Sequence, residues 1–178
     1  MNNPNKYTGT LGGGALTQET INLILKLIPP IDGAKKRTIL ELGSGYGTYV
    51  LSQYYQIFSI EHDSNWIGKY GDCATYFQCG LTESVPDNYS SWYQIDGILH
   101  KLPKKYDLLL VDGPPDDARR TNFIHHLHKF NKDAIWVFDD LQRPNDLNTY
   151  RKICQMRNVK EDIKECGKKI AGIIPSNK

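Results

Sequence analysis

Short apolar runs alternate with amphipathic stretches along most of this chain. Several runs are nearly continuous and are bounded by turn-forming residues, which is typical of parallel strands buried on both faces. The predicted strands are 37–42, 56–61, 75–78, 106–111 and 134–138. Apolar positions three and four residues apart predict helices that begin near positions 17, 64, 117 and 145. This alternation predicts an α/β fold with a single doubly wound, Rossmann-like and mostly parallel sheet.

The two ends of the chain depart from this pattern. Residues 1–16 are polar and rich in glycine, so we expect a flexible N-terminal arm there. Two strand-like pieces around Gly167 predict a C-terminal antiparallel hairpin. The segment 81–105 has weak periodicity and is predicted to be mostly loop. We therefore expect one domain over 17–178, which is long enough to bury a single hydrophobic core.

Glycines stand at alternate positions directly after the first predicted strand. The acid, the glycines and the serine between them are Glu41, Gly43, Ser44, Gly45 and Gly47. Glycines there let the backbone turn sharply and bring bare N–H groups close to a ligand at the start of the next helix. A dinucleotide fingerprint has a different spacing, and Glu41 would repel a pyrophosphate. The pattern predicts a cofactor loop for a cationic or hydrogen-bond-donating ligand, and a plain structural turn is the alternative.

A second acid, Glu61, ends the second predicted strand. It lies roughly 20 residues downstream of the glycines, as the ribose-binding acid of nucleotide folds does. A carboxylate in that place can accept hydrogen bonds from both ribose hydroxyls. His62 follows it directly, and a surface histidine beside Asp63 explains that residue as well as a ligand contact does.

Acids also follow the later predicted strands, at Asp112, Asp139 and Asp140. Carboxyl ends of parallel strands meet at one edge of a sheet, where such carboxylates repel one another unless cations or donors neutralise them. Three carboxylate oxygens could hold Mg²⁺ and leave positions for water and substrate oxygens. Strand-end acids can instead cap the next helix, but residues 116–117 and 145–146 are available for capping. Without a metal, Asp112 becomes a candidate general base.

Together these motifs resemble the class I S-adenosylmethionine-dependent methyltransferases, and the resemblance covers residues 12–143. It implies that Glu41 and the glycine loop hold the amino-acid end of S-adenosyl-L-methionine and that His62 lies against the adenine. The predicted cofactor-binding residues are Glu41, Gly43, Ser44, Gly45, Gly47, Glu61, His62 and Asp112.

The later acids are similar to the Mg²⁺ ligands of metal-dependent O-methyltransferases of the catechol and macrolide-sugar types. The wider pattern also resembles bacterial small-molecule or polysaccharide methyltransferases and plant glucuronoxylan methyltransferases. A metal site of Asp112, Asp139 and Asp140 for Mg²⁺ or another divalent cation is therefore expected. Asp112 and Arg143 are the candidate catalytic residues, because Arg143 could bind a carboxylate or phosphate on the acceptor.

The chain departs from the family pattern at three places. Pro115 stands where the catechol type carries its lysine base, so the resemblance leaves the base unassigned. Residues 131–133, Asn-Lys-Asp, replace the usual Gly-Gly turn before the fifth strand. No acid follows the third predicted strand to meet the adenine amine.

The resemblance implies methyl transfer from S-adenosylmethionine to a hydroxyl of a sugar, polysaccharide or other small molecule, helped by a divalent metal. Two alternatives share the fold: aminopropyl transfer from the decarboxylated cofactor, and a non-catalytic cofactor-binding module. An acid that serves the amino-acid end of the cofactor favours the intact molecule. None of the rim acids Glu41, Glu61, Asp112, Asp139 and Asp140 is lost, which favours an enzyme over a binding module. The chain has no insertion long enough to form a lid domain, so we expect an open substrate cleft, or one that the partner subunit of a homodimer closes.

Composition narrows the partners and the location. A net charge of +2 in 178 residues, with basic and acidic residues interspersed, does not call for a nucleic-acid partner. The apolar runs are far too short to cross a bilayer, so no membrane partner is expected and the protein is predicted to be soluble and cytoplasmic. The four cysteines match no common zinc spacing and are expected to be structural thiols.

Overall fold

A seven-stranded sheet forms the centre of the computed structural model, which describes residues 16–31, 33, 35–82, 91–115 and 120–177. The strands are β1 Thr38–Leu42, β2 Gln56–Glu61, β3 Thr75–Gln78, β4 Leu108–Val111, β5 Ile135–Phe138, β6 Asp162–Cys166 and β7 Lys169–Ile174. Their order across the sheet is β3-β2-β1-β4-β5-β7-β6. Strands β1 to β5 pair in parallel, whereas β7 is antiparallel to both β5 and β6. The predicted doubly wound sheet with a C-terminal hairpin is confirmed.

Helices cover both faces of this sheet. The α-helices are α1 Gln18–Leu27, α2 Tyr46–Ser52 and α3 Pro144–Met156, and the described 3₁₀ helices are Ile95–Gly97, Leu99–Lys101 and Thr121–Lys129. Thr17 caps α1 as predicted, because its hydroxyl accepts a hydrogen bond from the Thr20 N–H at 3.1 Å. Such a cap stabilises a helix by about 1 kcal/mol.

Alternate residues of the central strands enter two separate cores. Leu108 and Leu110 of β4 join the core beneath α1 and α2, whereas Leu109 and Val111 join the other. The second core is rich in aromatic rings, and its largest buried members are Trp92, Trp136, Tyr93, Tyr150 and Phe123. Both faces of the inner strands are therefore buried, which explains their continuous apolar sequences.

Two of the predicted helices take other forms. Residues 64–70, predicted as a helix, form a series of turns instead. The Asp63 carboxylate accepts from the Asn65 N–H at 2.9 Å, and Gly68 has a φ of +67° that a helix does not allow. The helix predicted after residue 117 is a 3₁₀ helix over Thr121–Lys129.

The start of the domain differs slightly from the prediction. Residues 1–15 of the predicted arm lie outside the described residues, and Leu16 is buried against the glycine loop rather than part of a flexible segment. All four cysteines are free thiols, as expected. Across the described part of the chain, no helix combines the length and the apolarity that a membrane crossing requires.

Candidate active site

A cavity of about 220 Å³ lies where β1, β2 and β4 end. Every residue predicted to bind the cofactor lines it: Glu41, Gly43, Ser44, Gly45, Gly47, Glu61, His62 and Asp112. The rest of the lining is Leu16, Tyr46, Thr48, Trp66, Tyr70, Gly113 and Pro115. Ligands of doubly wound sheets bind outside the carboxyl ends of the strands, and this cavity has that position.

Two of the glycines are required by close packing. Gly43 has a φ of +92°, and a Cβ there would lie 3.2 Å from Gly113 on the loop after β4. A Cβ on Gly47 would lie 2.8 Å from the side chain of Leu16. The glycine motif thus lets the loops after β1 and β4 approach each other and lets the start of the domain cover α2.

Gly45 has a different reason for being glycine. Its φ of −178° is extended backbone that any residue can adopt, and a Cβ there would meet nothing within 4 Å. The Gly45 N–H is held by the Thr48 hydroxyl at 2.9 Å. Because neither backbone strain nor packing requires a glycine, the missing side chain leaves room for a ligand in the cavity.

Glu41 is a buried carboxylate at the floor of the cavity, with only 2% of the residue exposed. Burial raises the pKa of Glu41 to about 8, and the hydrogen bond from the Thr48 hydroxyl, 2.8 Å long, opposes that rise. Within the described ranges, no lysine or arginine forms an ion pair with Glu41. A cationic ligand group would therefore supply the missing partner and favour the ionised form of Glu41.

Backbone N–H groups hold Glu61 in place. One of its carboxylate oxygens accepts from the Ser44 N–H at 2.7 Å, and the other accepts from the N–H groups of His62 at 2.7 Å and Asp63 at 2.8 Å. The His62 ring also brings its Nδ1 to 2.8 Å from Glu61, without a well-formed hydrogen bond. Through these hydrogen bonds, Glu61 connects the glycine loop to the end of β2.

Aromatic rings form one wall of the cavity, and the sequence reasoning did not assign them to it. Tyr46 and Tyr70 meet edge to face with ring centroids 5.2 Å apart, and Trp66 lies beside them. The Lys69 ammonium lies 3.7 Å above the centre of the Trp66 ring. The place of Tyr46 inside the glycine motif was the available signal that it lines the cavity. For Trp66 and Tyr70 the signal was the four-residue spacing of two aromatic side chains.

The predicted metal ligands come together beside the cavity. Asp112, Asp139 and Asp140 each offer an oxygen, and these oxygens lie within 4.8 Å of one another. We call these three residues the acid cluster. Only Asp112 lines the cavity, whereas Asp139 and Asp140 are buried behind it. Asp140 has a φ of +66°, a conformation that costs most residues roughly 1–2 kcal/mol.

Arg120, 4% exposed, braces the acid cluster from within. Its guanidinium donates to the backbone carbonyls of Asp112 at 2.6 Å, Pro114 at 3.1 Å and Asp139 at 3.0 Å. It also contacts the carboxylates of Asp140 at 3.2 Å and Asp146 at 3.4 Å. Arg120 thus connects the segments that follow β4 and β5.

Lys169 is the second cation of the acid cluster, and the sequence reasoning missed it. Its Nζ lies 2.5 Å from Asp139 and 2.9 Å from Asp140, and the residue is 5% exposed. Lys169 begins β7, and β7 runs antiparallel to β5, so its first residue lies at the end where β5 finishes. A lysine at the start of an otherwise apolar strand was the available signal.

Asp112 is the member of the acid cluster that faces the cavity, with 19% of its side chain exposed. Burial, followed by the charge of Asp139, raises the pKa of Asp112 well above its usual range, and Arg120 and Lys169 oppose that rise. Asp140 differs because the Lys169 hydrogen bond and the Arg120 charge outweigh burial and lower its pKa. One carboxyl of the cluster is thus suited to proton exchange and another to permanent ion pairing.

Arg143, predicted to be catalytic, lies behind the cavity rather than on its wall. Its guanidinium lies 3.2 Å from Asp140 and 3.8 Å from Asp146, and its side chain is 34% exposed. Arg143 also occupies the N-cap position of α3, where the prediction placed Asn145 or Asp146. Because the helix begins at Pro144, Asp146 lies inside its first turn, where it is buried beside the guanidinium groups of Arg120 and Arg143.

Comparison with known proteins yields structural matches only. No protein-family model matches the chain, and no curated protein matches its sequence. A candidate O-methyltransferase from Klebsiella pneumoniae superposes with a TM-score of 0.56 at 13% identity, over 97% of this chain and 84% of that one. A candidate caffeoyl-CoA O-methyltransferase from Staphylococcus aureus gives 0.58 at 12% identity, over 88% and 83%. The chain has the fold of the class I methyltransferases.

Another structure with this methyltransferase fold contains the expected cofactor. Aeropyrum pernix fibrillarin, solved with natively bound S-adenosyl-L-methionine, matches with a TM-score of 0.52 at 13% identity, over 86% of this chain and 72% of that one. In the present chain, Glu41, Glu61 and the open space at Gly45 fit a ligand with a cationic end and a diol. The methyltransferase fold and the cavity are therefore compatible with this cofactor.

A divalent metal fits the acid cluster less well than S-adenosyl-L-methionine fits the cavity. Both oxygens of Asp140 have partners, Lys169 and Gln142 on one and the two arginines on the other. One oxygen of Asp139 contacts Lys169, and the other accepts from the Thr20 hydroxyl at 3.4 Å. The predicted convergence of three carboxylates is confirmed, but a metal would have to displace a buried ammonium to reach two of them.

Proposed function

We propose that this chain is an S-adenosylmethionine-dependent methyltransferase that transfers a methyl group to a hydroxyl. The observation that carries the proposal is the cavity itself. The residues predicted from the sequence to hold the cofactor all line it, and Asp112 lies at the same wall. A structural turn alone would not need two buried carboxylates and an unfilled glycine position.

Each part of the cavity has a role in this proposal. Glu41 would hold the ammonium of the cofactor, and Glu61 the ribose diol. Tyr46 and Trp66 offer aromatic faces that suit a sulfonium or an adenine. When bound, S-adenosylmethionine supplies an electrophilic methyl group, so the protein mainly has to position the acceptor and remove its proton.

Asp112 is the residue proposed to accept that proton. As the hydroxyl oxygen bonds to the methyl carbon and the carbon–sulfur bond breaks, the hydroxyl proton passes to the Asp112 carboxylate. A raised pKa makes the ionised form of Asp112 a stronger base than an ordinary aspartate. Arg120, which contacts the Asp112 carbonyl, would keep the carboxyl in place.

The acceptor class follows from the chemistry and from the names of the structural matches. Two of the matching structures are candidate O-methyltransferases, which supports oxygen as the methylated atom. A sugar, polysaccharide or other hydroxylated small molecule is the proposed acceptor class, and the exposed side of Arg143 is proposed to contact an acidic group on an acceptor that extends beyond the cavity. The divalent ion expected from the sequence is not part of this proposal, because Lys169 already pairs with two of its ligands.

The test begins with calorimetric titration of S-adenosylmethionine, followed by transfer of labelled methyl to a panel of mono- and oligosaccharides, uronic acids and phenols. We expect one cofactor site per chain and labelling of at least one hydroxylated acceptor. Asp112→Asn should lower the turnover rate about 10²–10⁴-fold and leave cofactor affinity within about threefold.

Asp133→Asn, at an exposed aspartate on the loop before β5, serves as the matched control and should leave both quantities unchanged. Absence of cofactor binding would overturn the proposal. Tight binding that is unaffected by Asp112→Asn, without turnover on any acceptor, would instead favour the non-catalytic binding module.

A further inference from the structure

A buried ammonium stands where the methyltransferase resemblance places a metal ion. The Nζ of Lys169 is 2.5 Å from Asp139 and 2.9 Å from Asp140, the two acids that follow β5. Both acids are at most 2% exposed. The ammonium therefore lies among the predicted metal ligands rather than at their solvent side.

Protein cations already partner the carboxylates of this region. Among the described residues, its carboxylates belong to Asp112, Asp139, Asp140 and Asp146, and its cations to Arg120, Arg143 and Lys169. Buried carboxylates need such partners, because an unpaired buried charge is strongly destabilising. A divalent ion added beside Lys169 would meet an ammonium at short range and carboxylate oxygens that are already engaged.

Strand pairing and backbone hydrogen bonds hold the strand that carries Lys169 beside the acid cluster. Gly172 of β7 pairs with Phe138 of β5, the residue directly before Asp139. The Leu141 N–H donates to the Ile170 carbonyl at 2.8 Å, and the Ile170 N–H donates to the Gln142 side chain at 3.0 Å. The C-terminal hairpin is thus attached to the segment that carries the acid cluster, and its attachment brings Lys169 there.

We propose that Lys169 takes the place of a divalent cation in the acid cluster, and that it excludes such an ion from the wild-type protein. The ammonium supplies positive charge beside Asp112 and hydrogen bonds to Asp139 and Asp140. Where methyl transfer proceeds as proposed above, the acceptor needs to present only one hydroxyl, since no metal is there to chelate two vicinal oxygens.

The experiment measures Mn²⁺ binding by the paramagnetic resonance of the free ion, together with thermal unfolding with and without Mg²⁺. Wild type is expected to bind no Mn²⁺ at the cluster at millimolar concentration, and its melting temperature should not respond to Mg²⁺. Lys169→Gln removes the charge and keeps a donor, so it should gain one Mn²⁺ site. At tenfold saturation the melting temperature of that variant should rise by roughly 3–5 °C.

Two further variants localise the effect. Lys164→Gln, at an exposed lysine of β6 paired with Asp162, is the matched control and should behave as wild type. Lys169→Gln/Asp139→Asn should lose the gained Mn²⁺ site, because one of its ligands is removed. If Lys169→Gln unfolds on its own, added Mg²⁺ should restore cooperative unfolding.

The proposal would be overturned by a wild-type Mn²⁺ site that Asp139→Asn abolishes. It would equally be overturned by a Lys169→Gln variant that gains no ion when folded, or that stays unfolded with Mg²⁺ present. None of these measurements depends on S-adenosylmethionine or on turnover. Failure of the methyltransferase proposal therefore remains distinguishable from failure of this one.

Discussion

Two neighbouring parts of the same sheet edge treat their carboxylates in different ways. At the ends of β1 and β2, Glu41 and Glu61 are held by hydroxyl and backbone N–H donors, and no lysine or arginine in the described part of the chain pairs with Glu41. After β4 and β5, the acid cluster is paired with Arg120 and Lys169. The first part leaves the Glu41 carboxyl for a ligand cation to pair with, and the second pairs its carboxylates with protein cations.

This difference divides the proposed chemistry between the two parts. A binding site for a cationic cofactor gains from a carboxylate that has no internal partner, although burial raises its pKa while the site is empty of cations. A proton acceptor gains from an environment that stays ordered through the reaction. We therefore expect changes in the first part to alter ligand binding and changes in the second to alter stability first.

Removing Arg120, which braces the acid cluster, should have the largest effect. Arg120→Leu leaves three backbone carbonyls without this donor and weakens the pairing of the buried carboxylates, and we expect the free energy of unfolding to fall by about 3–5 kcal/mol. Urea unfolding measures this quantity. Arg120→Lys should recover only part of the loss, because a lysine lacks the planar fork that reaches three carbonyls.

Arg151→Leu provides the comparison for that measurement. Arg151 pairs with Glu161 at 3.2 Å on the surface, where such a pair contributes about 0–1 kcal/mol. Equal losses in the free energy of unfolding for Arg120→Leu and Arg151→Leu would mean that the buried pairs of Arg120 stabilise the protein no more than a surface pair does.

Filling the open space at Gly45, in the loop after β1, should affect cofactor binding much more than folding. Gly45→Ala places a methyl group in the cavity, and we expect S-adenosylmethionine affinity to fall at least about tenfold, or roughly 1.4 kcal/mol. The melting temperature should drop by only about 2 °C, since alanine is a weaker N-cap than glycine.

Gly97→Ala is the matched control, because Gly97 also has open space at its Cβ but lies in a 3₁₀ helix outside the cavity. It should leave affinity unchanged. An unchanged affinity in Gly45→Ala would mean that the ligand does not occupy the space beside the loop.

A further difference between the two parts concerns the pH dependence of stability. With its pKa raised to about 8, Glu41 keeps a proton in the folded protein that the unfolded chain releases above about 4.5. The folded state therefore binds more protons over that range, and the free energy of unfolding falls as pH rises towards 8. One such proton gives a slope of at most about 1.4 kcal/mol per pH unit.

Urea unfolding from pH 5 to pH 8 should show a shallower fall in Glu41→Gln than in wild type, whereas Glu165→Gln, at an exposed residue of β6, should match wild type. Saturating S-adenosylmethionine should also flatten the wild-type slope, because a bound ammonium would keep Glu41 ionised. Equal slopes in wild type and Glu41→Gln would contradict the raised pKa.

Local patterns were sufficient to predict most of the elements. β2 and β3 have the predicted bounds, and the hairpin and the cap at Thr17 are where the sequence placed them. Residues 64–70 failed, because an apolar spacing does not report that Asp63 and Gly68 favour turns strongly enough to prevent a helix. Caps at α3 failed because the helix begins at Pro144, which places Asp146 inside its first turn.

The sequence by itself determined the class of fold, the glycine loop and the positions of the strand-end acids, since these depend on local spacing and on the rule that parallel strands end at one edge. Only the tertiary structure decided how the acids are neutralised. Arg120 and Lys169 reach Asp140 from positions 20 and 29 residues away in the chain. The pairing of Lys169 depends on the antiparallel attachment of β7 to β5, and no local pattern contains that contact.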